Sequence, residues 1–209
     1  MAQVKYQEII EEIFGALKSK NNPGRVATYI PELGNVSNDK FGVYLRRVEG
    51  ETFSYGDSDE AFSIQSIAKV LSLSLAYKNA GSKLWERVGV EPSGDPFNSL
   101  VQLEYDYGKP RNAFINAGAI VICDVLMSQY DDAPTVLLEF IREISGNPSI
   151  DYNAPIAQSE KAEGFRNTAL VNFIKSFGNI KNDTGPVLDF YFNLCSIKMS
   201  CKELAETFV

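Results

Sequence analysis

Residues 41–58, FGVYLRRVEGETFSYGDS, alternate apolar and polar side chains on both sides of Glu49-Gly50-Glu51. This is the pattern of two antiparallel strands joined by a tight turn. Nearly everything after it repeats apolar residues at helical spacing instead. A hairpin followed by a long helical remainder predicts an α+β protein. A two-stranded ribbon is seldom stable in water as a complete sheet, so further strands are expected to join it.

Helical spacing also precedes the hairpin. Val4, Ile9, Ile10, Ile13, Phe14 and Leu17 fall on one face of a helix over residues 4–18, and Asn21, Asn22, Pro23 and Gly24 end it. Residues 63–79 are predicted as one buried helix, with Ile64, Ile67, Ala68, Leu71, Leu75 and Ala76 inward and Gly81 as its stop. The stretch 89–111 is rich in Gly, Pro, Ser and Asn and too long for a simple connector, so it reads as a binding segment. Helices are predicted over 114–127, over 134–144 with a break at Gly146-Asn147-Pro148, and over 155–178, 186–197 and 199–208. The last of these, KELAETFV, ends without a cap, and a further C-terminal portion is expected.

The 209 residues include no histidine. That removes Ser-His-Asp and Cys-His arrangements and the commonest metal ligand together, so any general base is Lys, Tyr, a carboxylate or water. With 20 basic and 27 acidic side chains, the net charge of -7 opposes nucleic acid and anionic membrane as partners, since both call for a basic face. No stretch approaches the ~20 apolar residues of a membrane span, and no apolar leader with a small-residue cleavage site opens the chain. The expectation is a cytoplasmic protein acting on a small molecule. Cys123, Cys195 and Cys201 lie among apolar helical residues, outside any CxxC pair, and read as structural thiols.

Ser66-Ile67-Ala68-Lys69 sets a serine and a lysine three residues apart, on one face of a helix. A lysine desolvated there can deprotonate the serine hydroxyl, directly or through a tyrosine, one of the few routes to a serine nucleophile without histidine. Ser37-Asn38-Asp39-Lys40 has the same spacing in a polar turn. Spacing alone therefore leaves open a second reading, with Ser66 a small helix residue and Lys69 in solvent. The apolar neighbours Ile64, Ile67, Val70 and Leu71 argue for function, because a lysine among them needs a reason to be there.

Asn116, within Ile115-Asn116-Ala117-Gly118-Ala119-Ile120, is either a cap or core amide or a ligand group flanked by residues small enough for close approach. Glu160 and Asn167, about two turns apart, line one face if the 155–178 helix continues through Gly164, or else sit on a solvated face. Tyr29 and Tyr191 are either core aromatics or hydroxyls that transfer protons where histidine is absent.

Taken in order, these segments resemble the serine-dependent, β-lactamase-related glutaminases of bacteria. The matching pieces are GRVATYIPEL at 24–33, FSIQSIAKV at 62–70, Glu91-Pro92-Ser93-Gly94 with Phe97-Asn98-Ser99, INAGAI at 115–120, Ser159-Glu160 with Arg166-Asn167, and LDFYF at 188–192. They span nearly the whole chain. The resemblance implies a β-lactamase/DD-peptidase-like α+β fold, with an antiparallel sheet packed with helices plus an all-helical subdomain. It implies one catalytic domain over 1–209, with a sheet portion at 25–60 and a mainly helical portion at 61–209.

The activity it implies is hydrolysis of the side-chain amide of L-glutamine to L-glutamate and ammonia through a serine acyl-enzyme. Ser66 would be the nucleophile, with its own N–H as half of an oxyanion hole, and Lys69 would transfer protons. Tyr29, Gln65, Asn116, Glu160, Asn167 and Tyr191 would bind substrate, with Glu160 toward the α-ammonium. No metal or organic cofactor is implied, and the assembly would be a homo-oligomer, a dimer or tetramer.

Members of that family continue past the position of Val209 through more strands, another active-site tyrosine and a Gly-rich loop that completes the oxyanion hole. This chain is therefore expected to be incomplete at its C-terminus and impaired without that donor. The alternatives are a truncated or degenerate non-catalytic relative, or another Ser-x-x-Lys acyl enzyme of the β-lactamase or penicillin-binding type, which the absence of Lys-Thr-Gly disfavours.

The two Ser-x-x-Lys tetrads set up a direct comparison. In a form extended through that C-terminal portion, Ser66→Ala is expected to abolish ammonia release from glutamine and Ser37→Ala to leave it nearly unchanged. Equal ammonia release from Ser66→Ala and the parent would remove the covalent route.

Overall fold

The computed structural model describes residues 4–18, 24–94, 96 and 99–209. Helix α1 (Tyr6–Lys18) lies on a hairpin of β1 (Gly42–Arg46) and β2 (Thr52–Gly56), which pair antiparallel with Val43 opposite Tyr55 and Leu45 opposite Phe53. Tyr6 meets Phe53, and Phe14 meets both Phe41 and Tyr55, with ring centroids 4.4 to 5.3 Å apart. Those ring contacts set the rotation of α1, so the aliphatic stripe read from the sequence is only partly used. Ile10 is buried, whereas Val4, Ile9, Ile13 and Leu17 are exposed. Of the expected helix stop, Asn21, Asn22 and Pro23 lie outside the described residues.

A second ladder joins distant parts of the chain. β3 (Phe62–Ser63) pairs antiparallel with β4 (Lys198–Met199), Phe62 opposite Met199 and Ser63 opposite Lys198. Further strand pairing is thus present, but among the described residues it forms a ladder separate from the hairpin. The ladder also delays the helix predicted from Ser63. Pairing holds Ser63 extended, outside helical geometry, and the Ile64 N–H adds a bond to the Ile197 carbonyl at 2.9 Å. A 3-10 turn then covers Gln65–Ile67, and α2 (Ala68–Ala80) follows, ended by Gly81 at φ 53°.

Among the described residues of the 89–111 segment the regular element is a short helix, α3 (Val101–Tyr105); Phe97 and Asn98 lie outside the described residues. α4 (Asn116–Gln129) is the central helix, buried from Asn116 through Leu126. α5 (Ala133–Ser145) opens on an Asp132 cap to the Thr135 N–H and closes on left-handed Gly146.

The single helix predicted over 155–178 is two, α6 (Ala154–Ala162) and α7 (Phe165–Ser176). They break at Gly164, where the ring of Phe192 takes the space; a Cβ there would stand 2.6 Å from its Cζ. Phe192 belongs to α8 (Thr184–Ser196), and α9 (Cys201–Thr207) begins with a Ser200/Glu203 capping box. The core lies where α2, α5, α7 and α8 pack around α4. Cys123 and Cys195 are buried in it, Cys201 is half-buried, and all three are free thiols.

One buried charge ties the connecting loops to α4. Asp124 is fully buried, which alone would push its carboxyl up. The Arg87 guanidinium at 2.5 Å and the N–H groups of Lys181 and Asn182 nevertheless hold it below the ordinary carboxylate value. Among the described residues no helix is long and apolar enough to cross a membrane.

Close approach at Gly118 is what lets the 112–115 loop seat on the start of α4. A Cβ there would collide with the Asn112 carbonyl oxygen, whereas a Cβ at Gly15 in α1 meets nothing within 4 Å. Gly118→Ala is therefore expected to cost about 1–3 kcal/mol in a denaturant melt. Gly15→Ala should be neutral or stabilising by up to about 1 kcal/mol. Equal stability of Gly118→Ala and the parent would show that the loop can yield.

Candidate active site

The nucleophile candidate stands at the junction of the β3–β4 ladder and α2. Ser66 is exposed in the 3-10 turn, after Gln65, which adopts φ 46° although it is not glycine. One turn on, Lys69 points inward and is only 2% exposed. Its Nζ donates to the Phe114 carbonyl at 3.1 Å and to Asn116 Oδ1 at 2.7 Å. Burial lowers the proton affinity of this amine, opposed in part by the negative potential of Glu160. A neutral amine has two N–H bonds and one lone pair. With both N–H bonds taken, the lone pair is left for the third tetrahedral direction, where a hydroxyl can give up its proton.

The acceptors are held from behind. Asn112 Oδ1 accepts from the Phe114 and Ile115 N–H groups at 3.0 and 3.2 Å, while its Nδ2 donates to the Glu91 carbonyl at 2.9 Å. Asn116 opens α4 without capping it, since its side chain is turned to Lys69 and to α7. Its Nδ2 donates to Asn167 Oδ1 at 3.0 Å. The ammonium form of lysine only donates, so the Asn116 oxygen must face it, the Asn116 amino group must face the Asn167 oxygen, and Asn167 is left with donors.

Glu160 sits near the end of α6, buried to 8% exposure, and its Oε2 has no hydrogen-bond partner. Burial raises its pKa to about 7, although the Cys195 thiol, the Lys69 charge and the Gln65 amide pull it down. Tyr191 on α8 is 2% exposed, and burial, then Cys195 and Glu160, push its hydroxyl well above the ordinary value. Tyr29, by contrast, is 69% exposed, and its hydroxyl is raised by partial desolvation and by Glu160. It precedes the 3-10 turn Pro31–Asn35, which α6 holds through the Glu32 N–H to Ser159 Oγ at 3.3 Å.

Lys69, Asn116 and Asn167 are thus joined by hydrogen bonds, and Gln65, Glu160, Tyr29 and Tyr191 by short-range electrostatics. Glu160 and Asn167 converge from two helices, not from one continuous face. The second tetrad differs in the setting of its lysine. Lys40 is exposed and ion-paired with Asp57 and Glu60, and Ser37 Oγ only accepts from the Asp39 N–H. Among the described residues no group of three or more Cys, Asp or Glu converges as a metal site requires.

A family model described as Glutaminase matches residues 24–209. The chain belongs to the glutaminase family. It is 57% identical over 209 residues to a glutaminase of Saccharophagus degradans and 52% identical over 204 residues to one of Christiangramia forsetii. Those matches cover 100% and 98% of this chain, and 68% and 67% of the relatives. Among solved structures, the probable glutaminase ybaS superposes with a TM-score of 0.89 at 30% identity, over 98% of this chain and 66% of that one. Mglu in its tris and glutamate form superposes with a TM-score of 0.89 at 27% identity, over 99% of this chain and 46% of that one. The chain therefore spans about two thirds of the curated relatives it matches and about half of Mglu. The fold it shares with these glutaminases is the β-lactamase-like α+β fold.

Sequence reasoning did not find the Phe114 carbonyl or the Cys195 thiol among the site's groups. A backbone carbonyl carries no residue signature, and a cysteine between apolar neighbours reads as core. The i, i+4 spacing of Tyr191 and Cys195 was the available signal.

The raised Glu160 pKa has a defined consequence for stability. A carboxyl whose pKa is raised on folding costs nothing below its unfolded value, near 4.5, and destabilises progressively until pH passes its folded value of about 7. Glu160→Gln is therefore expected to match the parent at pH 4 and to exceed it by about 3 kcal/mol at pH 8 in denaturant melts. A stability difference independent of pH would contradict the burial of this carboxyl as an ionisable group.

Proposed function

We propose that this glutaminase-family chain carries out the family reaction, cleaving the side-chain amide of L-glutamine to L-glutamate and ammonia. The observation that supports it most is the buried Lys69 amine, which donates to the Phe114 carbonyl and to Asn116 Oδ1 and has its proton affinity lowered by burial, one turn from exposed Ser66. Ser66 Oγ attacks the amide carbonyl carbon as Lys69 takes the hydroxyl proton. The Ser66 N–H contributes to stabilising the oxyanion. Lys69 returns the proton to the leaving nitrogen, which departs as ammonia, and a water then cleaves the γ-glutamyl ester with Lys69 again as base.

Substrate recognition follows from charge. The unsatisfied, buried Oε2 of Glu160 suits the α-ammonium, and the donors of Asn167 with the Tyr29 and Tyr191 hydroxyls suit the α-carboxylate and the amide. Asn116 acts on both the amine and Asn167, and Gln65 flanks Glu160 beside the nucleophile. In this reading residues 1–209 belong to one catalytic domain, no metal or organic cofactor takes part, and the protein works as a cytoplasmic homo-oligomer.

The test couples substrate charge to turnover. Glu160→Gln is expected to raise KM for glutamine and to lower kcat/KM by the equivalent of ~2 kcal/mol or more. The parent should leave nitrocefin untouched. A normal KM in Glu160→Gln assigns the ammonium site elsewhere, and nitrocefin hydrolysis without ammonia release from glutamine replaces the reading with a β-lactamase.

A further inference from the structure

The turn that carries Ser66 begins in a conformation its own sequence does not favour. Gln65 lies at φ 46°, where a side chain's Cβ crowds the backbone, and such a residue persists only when its surroundings over-determine it. The surroundings here are two bonds to the short segment 195–197 and one within the turn that links Gln65 to them. The Ile64 N–H donates to the Ile197 carbonyl at 2.9 Å, Ser63 Oγ donates to the Cys195 carbonyl at 3.0 Å, and Gln65 Nε2 donates to Ser63 Oγ at 2.9 Å.

We infer that Ser63 is a positioning residue for the nucleophile: its hydroxyl clamps the Gln65 side chain to the C-terminal end of α8 and so holds the left-handed residue from which the Ser66 turn starts. The inference rests on the proposed role of Ser66 and adds a residue to which no part of the reaction was assigned.

The polarity of the clamp admits few side chains. The Cys195 carbonyl belongs to the last turn of α8, where carbonyls lack an intrahelical donor. Ser63 spends its one proton there, so toward Gln65 it offers a lone pair and receives the amide N–H. A hydroxyl in this position both donates and accepts strongly, a thiol does so only weakly, and alanine does neither. Cys195 lies one turn after Tyr191 on the same helix, so the clamp sets the nucleophile turn against the helix that supplies Tyr191. The Gln65 amide also interacts with the Glu160 carboxyl, and a loosened Gln65 would disturb both sides of the site. A purely structural Ser63, serving only to cap α8, would affect stability but not the reactivity of Ser66.

The experiment compares Ser63→Ala, Ser63→Thr, Gln65→Gly and the Ser63→Ala/Gln65→Gly double variant with the parent. Three quantities are measured: the rate at which a fluorophosphonate ester modifies Ser66, kcat and KM for glutamine, and the thermal melt. Ser63→Ala is expected to slow both Ser66 modification and kcat by ~10- to 100-fold, as for a displacement of about an ångström, with KM changed far less. Ser63→Thr, which keeps the hydroxyl, should restore both rates. Glycine adopts φ 46° freely and has no side chain to hold, so in the Gln65→Gly background Ser63→Ala should cause no further loss.

Parent-like modification and turnover in Ser63→Ala, or losses that multiply in the double variant, would overturn the inference. If Ser63→Ala fails to melt cooperatively, Ser63→Cys, which keeps the volume but hydrogen-bonds weakly, provides the same comparison. A parent that is labelled at Ser66 yet releases no ammonia defeats the glutamine reading alone, and the labelling rates still decide the role of Ser63. A parent neither labelled nor active defeats both.

Discussion

An amine with 2% of its surface exposed is tolerated inside a protein only if its N–H bonds find acceptors. Much of this fold can be traced to meeting that requirement at Lys69. The Phe114 carbonyl must face inward, so Asn112 holds the 112–115 loop by three hydrogen bonds. The loop must sit tightly on α4, so position 118 has room for glycine alone. Asn116 must direct its oxygen to the amine, which turns its amino group to α7 and leaves the Asn167 donors outward. One desolvated amine is thus tied to the start of α4, its approach to α2 and the orientation of two amides.

Glu160 is the counterpart from the other side. It is buried to a similar degree, but its Oε2 is left without a partner, and burial moves its pKa toward neutrality as it moves that of Lys69. An acid shifted up and a base shifted down, each held by burial against a nearby opposite charge, is an arrangement found at sites that do chemistry more often than in inert cores. Glu160 and Asn167 reach the site from two helices that break at Gly164, where the ring of Phe192 leaves no room for a Cβ.

Hydrogen-bond polarity runs through both halves of the site with little freedom. Lys69, Asn116 and Asn167 form one directed chain, and Gln65, Ser63 and the Cys195 carbonyl form another. The first starts from an amine that, when protonated, can only donate, and the second ends at a carbonyl that can only accept, so the amides between have a single consistent orientation. Such chains rigidify a site without requiring that its members be close in sequence.

The periodicities of the chain determined that it is a hairpin followed by helices, and the absence of histidine made Lys69 the base to consider for Ser66. Ordered motifs along the chain pointed to the right family and to the residues that the fold then gathers. Sequence did not determine where helices start or which faces they bury. Ser63 left its predicted helix because the ladder with 198–199 claims its backbone, and α1 turned its aromatic side inward because rings on the hairpin offered more contact than its aliphatic stripe. Nor did sequence separate the two Ser-x-x-Lys tetrads by spacing. Only the tertiary structure places Lys40 among solvated carboxylates and Lys69 under α4, because the groups that decide the matter stand 45 and 47 residues from Lys69 along the chain. Local apolar context pointed toward burial of Lys69, but the acceptors that meet its N–H bonds are distant neighbours, and local sequence carries no record of them.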